Sequence, residues 1–113
     1  MYTRTLKNSM KEQNTELAYL AGVFDGEGSM GMWSKGKDKG PAFRLQIEMS
    51  DGDTVLRFLT YFKQGSITVR VPKDLKYKMM YHWRVNGEDG KTIARTMLPY
   101  LSKRRQAQFQ EAA

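Results

Sequence analysis

Asp25 and Glu27 stand at the end of an apolar run, separated and followed by glycine, in the order Asp25-Gly26-Glu27-Gly28. Carboxylates crowded at a helix end are oxygen donors of the kind a hard cation such as Mg²⁺ takes. Beside a polyanion, a cation held there can assist hydrolysis of a phosphodiester. The plain alternative is a turn, since both glycines are free to take positive φ.

A second set of residues bears on which polyanion that would be. Arg44, Gln46 and Glu48 alternate with Phe43, Leu45, Ile47 and Met49, and Thr68 and Arg70 alternate with Ile67, Val69 and Val71. His82 and Arg84 alternate with Tyr81, Trp83 and Val85. Each alternation is the period of a strand with one core face and one polar face. Lys35, Lys37 and Lys39 in one turn, and Lys73, Lys76 and Lys78 in another, extend the polar side. Arg and Gln on such a sheet can read base edges in a DNA major groove. The plain alternative is a solvated face. Trp33 shares the parity of Lys35 and either touches DNA or closes the edge of the core, while Trp83 belongs to the core. His82, the only histidine, excludes a histidine-based nuclease and is either a DNA contact or merely solvated.

Charge favours the nucleic-acid reading. Nineteen Lys and Arg face twelve Asp and Glu, for a net charge of +7 and an isoelectric point near 9.7, which suits a polyanionic partner. The basic residues do not gather on one amphipathic helix, which argues against a membrane surface. No signal peptide is legible, and no stretch is long and apolar enough to span a bilayer. Without cysteine there is neither a disulfide nor a thiolate-held metal, and an intracellular setting fits: a phage-infected or bacterial cytoplasm, or an organelle.

The elements that must position these residues follow from the same patterns. Residues 1–14 are polar and read as a loose arm, and 15–113 as a single domain. Asn14 or Thr15 can cap a helix over 16–24 that is apolar nearly all round and therefore buried on nearly all sides. Strands are expected at 29–35 and 42–49, a helix at 54–62 ended by Gly65, and strands around 67–71 and 81–85. A loop over 86–90, a helix over 91–98 interrupted by Pro99, and a last helix over 100–111 complete the chain. The class is α+β in the order αββαββα, with an antiparallel sheet.

The stretch Leu20-Ala21-Gly22-Val23-Phe24-Asp25-Gly26-Glu27-Gly28 resembles the nine-residue signature of the LAGLIDADG homing endonucleases. Leu20, Ala21, Gly22, Asp25 and Gly28 match it letter for letter, and Glu27 stands where the signature has Asp. Ser29 and the segment from Leu98 to Ala107 continue the resemblance, as does the element order. It implies the homing-endonuclease fold, with a curved sheet lying on double-stranded DNA. It also implies a homodimer, since one motif copy is present, and hence a long, near-palindromic site cut with Mg²⁺ or Mn²⁺. Leu17, Ala18, Ala21, Gly22 and Asp25 would line the contact between copies, small residues letting the helices approach closely. Glu27, with the Gly26 carbonyl, would bind metal. Asp25 would be structural, and Asp51 would sit near the attacking water. Lys103 or Arg104 would stabilise charge at the cleaved phosphate, a lysine as a point charge or an arginine as a fork. DNA contacts would come from Trp33, Lys35, Lys37, Lys39, Arg44, Gln46, Glu48, Thr68, Arg70, Lys73, Lys76, Lys78, His82 and Arg84.

Two other readings use the same fold: a non-catalytic DNA-binding regulator, and a maturase acting on intron RNA. Retention of Glu27, Asp51 and a basic residue at 103 or 104 favours the endonuclease, because a pure binder is free to lose the acid.

Overall fold

The computed structural model describes residues 2–34 and 40–112, with side chains from Glu12 onward. Its order is α1 (Tyr2–Glu27), β1 (Gly28–Ser34), β2 (Pro41–Met49), α2 (Gly52–Phe62), β3 (Ser66–Arg70), β4 (Met80–Asn86), α3 (Gly87–Met97), a 3-10 turn (Leu98–Tyr100) and α4 (Lys103–Ala112). This is the expected α+β order, with one antiparallel sheet in the strand order β1-β2-β4-β3. Two hairpins thus meet along their second strands, Ile47 opposite Trp83 and Gln46 opposite Arg84.

Alternation puts every helix on the same side of that sheet. Met30, Phe43, Leu45, Ile47, Trp83 and Val85 point one way and are buried. Leu17, Leu20, Ala21 and Phe24 from α1, Val55 and Phe58 from α2, Ile93, Ala94 and Met97 from α3, and Phe109 from α4 complete one cluster with them. Trp83 is its centre, fully buried, with Phe58 5.1 Å away and its indole N–H donating to the Gln64 carbonyl at 2.9 Å. Among the described residues the other face of the sheet carries no helix, and the polar residues lie there.

Several local expectations are corrected. The helix begins at Tyr2 rather than at 15 or 16. The segment Leu6 to Gln13 is made largely of good helix formers, which lets the helix extend through it. At its other end α1 runs on through Glu27, and neither Gly26 nor Gly28 has positive φ. Helix α2 ends at Lys63, itself left-handed at φ 58°, its N–H donating to the Leu59 carbonyl. Gly65, at φ +95°, belongs to the turn beyond. The expected loop at 86–90 is instead the first turn of α3, where Glu88 and Asp89 favour the positive helix end.

Candidate nucleic-acid interface

The C-terminal end of α1 meets the start of α4. A helix C-terminus carries partial negative charge, and α1 ends in Asp25 and Glu27 with no basic residue in its last turn. That conflict is resolved for Asp25 by distant residues. Its carboxylate accepts the Ser102 backbone N–H at 2.8 Å. This bond, then the Ser102 hydroxyl and the nearby Arg104 and Arg105, hold the carboxyl below its ordinary range. Arg105, buried, donates through Nε to the Asp25 carbonyl at 3.2 Å and through Nη2 to the Gly28 carbonyl at 2.6 Å. Its guanidinium lies 5.5 Å from the centre of the Phe24 ring. That ring also explains Gly28, where any Cβ would overlap it.

Glu27 has no such help. It is exposed, and among the described residues it makes no hydrogen bond or ion pair. It borders a hollow of about 210 Å³ lined by Ser29, Gln46, Ile47, Glu48 and His82. The carboxylate thus stands at the edge of the polar sheet face.

That face is built by register. Ser29 opposes Gln46, and Gly31 opposes Arg44. Glu48 opposes His82, which in turn opposes Thr68 across β3–β4. The predicted reading residues therefore share one surface, and they orient one another. Gln46 Nε2 donates to the Ser29 hydroxyl at 3.2 Å, and its Oε1 accepts from His82 Nε2 at 2.8 Å. Arg44 Nε donates to Asn86 Oδ1 at 3.1 Å and lies 5.6 Å from the centre of the Trp33 ring, which puts Trp33 on the polar face. Arg70 pairs with Glu48. Burial first, then Arg84, Arg44 and Arg70, push the His82 pKa below its ordinary value against the pull of Glu48, so the ring is neutral at pH 7. Lys73, Lys76 and Lys78 are exposed in the turn beyond Arg70. Lys35, Lys37 and Lys39 lie outside the described residues.

The remaining site residues lie on the helices or at their ends. Asp51 is the N-cap of α2, accepting the Thr54 hydroxyl at 2.7 Å and the Thr54 N–H at 3.2 Å, which lowers its pKa. Both oxygens are thereby engaged in capping. Lys103 and Arg104 are exposed at the start of α4, and Arg104 Nη2 lies 3.4 Å from the Asp25 carbonyl. Leu17 and Ala21, expected between copies, are buried in this chain's own core. The open side of α1 carries Tyr19, Gly22 and Gly26, with Ala18 half-buried beside them. Arg57 stacks 3.9 Å from the centre of the Tyr19 ring and pairs with Glu16. Arg105, Ser102, Ser29 and Asn86 also belong to the site, and no local sequence pattern marks them. Their signal is positional, since only the fold brings Ser102 and Arg105 to the end of α1.

The fold is shared with known proteins. The homing endonuclease I-CvuI in complex with its target has a TM-score of 0.70 at 21% identity, over 88% of this chain and 64% of that one. The LAGLIDADG homing endonuclease I-GzeII in complex with a DNA target matches at TM-score 0.63 and 22% identity, over 83% of this chain and 32% of that one. The archaeal intron-encoded I-Vdi141I complexed with DNA matches at 0.66 and 12%, over 87% of this chain and 66% of that one. The chain has the LAGLIDADG homing-endonuclease fold, and it spans just under two thirds of the length of I-CvuI. No family model and no curated protein matches the sequence. Among the described residues no helix is long and apolar enough to cross a membrane.

Proposed function

We propose that this chain is a LAGLIDADG-type endonuclease that cuts double-stranded DNA at a long, near-palindromic site, acting as a pair of identical copies with a divalent cation. The observation that carries the reading is Glu27: an exposed, unpaired carboxylate at the negative end of α1, bordering a sheet face lined with Arg44, Arg70 and Arg84. A carboxylate left against a helix C-terminus is stabilised by a nearby cation. Glu27 and the Gly26 carbonyl are oxygen donors that fit Mg²⁺ or Mn²⁺. Bound there, a divalent cation supplies Lewis acidity to a phosphodiester and the water that attacks it.

The chain's own residues divide the remaining work. Arg44, Arg70 and Arg84 meet base edges and phosphates, and Gln46 and His82 present an amide and a neutral imidazole between them. Lys73, Lys76 and Lys78 add phosphate contacts beyond the hairpin. Lys103 or Arg104 supplies positive charge near the end of α1. Among the described residues no three His, Asp or Glu side chains form a metal-binding group. In this proposal a second copy and DNA oxygens would complete the site, with the open Gly22–Gly26 side of α1 as the approach. One observation favours a non-catalytic binder instead: the engagement of Asp51 in capping Thr54.

Selection of cleaved products from randomised duplexes in Mg²⁺ tests the proposal. A single enriched, twofold-symmetric site with both strands cut is expected. Specific binding without cutting in Mg²⁺ or Mn²⁺ would give the function to the non-catalytic reading.

A further inference from the structure

The Glu27 side chain makes no hydrogen bond or ion pair among the described residues, so its place is set by the backbone that carries it. That backbone is held from both sides by one side chain. The Arg105 guanidinium spans the carbonyls of Asp25 and Gly28, at 3.2 and 2.6 Å, and these two residues bracket Gly26 and Glu27. Its third direction is fixed as well, Nη1 donating to Gln108 Oε1 at 2.8 Å. It is buried over the Phe24 ring, where water does not compete for its donors. The planar fork is what lets one residue grip two carbonyls three positions apart, and a lysine ammonium lacks that geometry.

We infer that Arg105 is a positioning residue for the carboxylate site, fixing where Glu27 and the Gly26 carbonyl stand relative to a bound cation. The inference rests on the endonuclease reading given above. Arg105 forms no hydrogen bond or ion pair with Glu27 or with the polar residues of the sheet. It acts through the bracket alone, as groups behind a metal ligand do elsewhere, where their loss costs about 10–100-fold in metal affinity or activity. Stability alone also accounts for a buried arginine, so the decisive readout is metal affinity in folded protein.

The experiment uses the full chain bound to its selected duplex already cut at the scissile positions, so that nothing remains to be cleaved while the titration runs. Mn²⁺ alone is titrated and followed by electron paramagnetic resonance, while duplex affinity is measured separately in chelator. For Arg105→Gln the half-saturating Mn²⁺ concentration should rise about tenfold or more, with duplex affinity in chelator within about twofold of wild type. Arg105→Lys, which keeps the charge and loses the fork, should fall between the two, and it carries the test if the glutamine variant does not fold. Unchanged Mn²⁺ affinity in a folded variant overturns the positioning role while leaving the endonuclease reading intact. Wild-type protein that binds its duplex but takes up no Mn²⁺ overturns both.

Discussion

The Ser102 backbone N–H donates to the Asp25 carboxylate at 2.8 Å, joining the end of α1 to the residue before α4 across 77 positions. Asp25→Ala removes the acceptor and leaves that N–H to water. Because the site is only half-buried, the cost should be about 1 kcal/mol of folding stability. The Asp25 pKa is lower in the folded chain than its ordinary 3.8. Its contribution is therefore fully present above that value and is lost as pH falls through the lowered folded value. Urea unfolding of wild type and variant should show stabilities that converge at the acid end. A constant difference down to pH 2 would refute the ion's role.

Glu27→Gln keeps shape and removes charge. Cleavage should fall by more than the roughly 10–100-fold that residues behind a metal ligand cost. Affinity for the selected duplex should hold, because it comes from the sheet face and its phosphate contacts. Nicking and gel-shift assays on one duplex separate these effects, and a variant that still cuts would remove Glu27 from the reaction.

At Gly22 an added Cβ meets nothing within 4 Å in the single chain. Gly22→Ala should therefore leave the fold intact and raise helix stability by up to about 1 kcal/mol. Gly22→Leu should fold equally well yet keep two copies of α1 apart, since close helix approach needs small residues at the crossing. Sedimentation should find the leucine variant monomeric and the native chain paired. Pairing that survives Gly22→Leu would place the contact elsewhere.

His82 is held neutral by burial and by three arginines. Its folded pKa lies below the ordinary 6.5, so its stability contribution is complete above pH 6.5 and lost as pH falls through the lowered value. Thermal melts from pH 7.5 to 5 should show a decline that His82→Gln abolishes. An identical decline in the variant would assign it to other groups.

The alternation Phe43-Arg44-Leu45-Gln46-Ile47 fixed which face of β2 is buried, and the apolar spacing of Val55, Leu56, Phe58, Leu59 and Phe62 fixed a helix, because side-chain period follows from backbone geometry alone. The polar face was legible as a set for the same local reason, whereas Asp25-Gly26-Glu27-Gly28 reads as a break after the helix and instead continues it through Glu27. Where local signals competed, the sequence left the answer open. Asn14 and Thr15 are good caps that α1 passes through, and Asn86-Gly87 reads as a loop yet starts α3.

Which residues answer which was decided by tertiary structure. Arg105 lies 80 positions from Asp25, Ser102 77 from it, and Asn86 42 from Arg44. No spacing rule reaches so far. Leu17 and Ala21 lie on one side of α1 and Ala18 and Gly22 on another, and only the packed sheet beneath that helix says which side is already buried. An isolated sequence states what each residue can do. The partner that leaves Asp25 satisfied and Glu27 free is supplied by the chain returning to the end of its first helix.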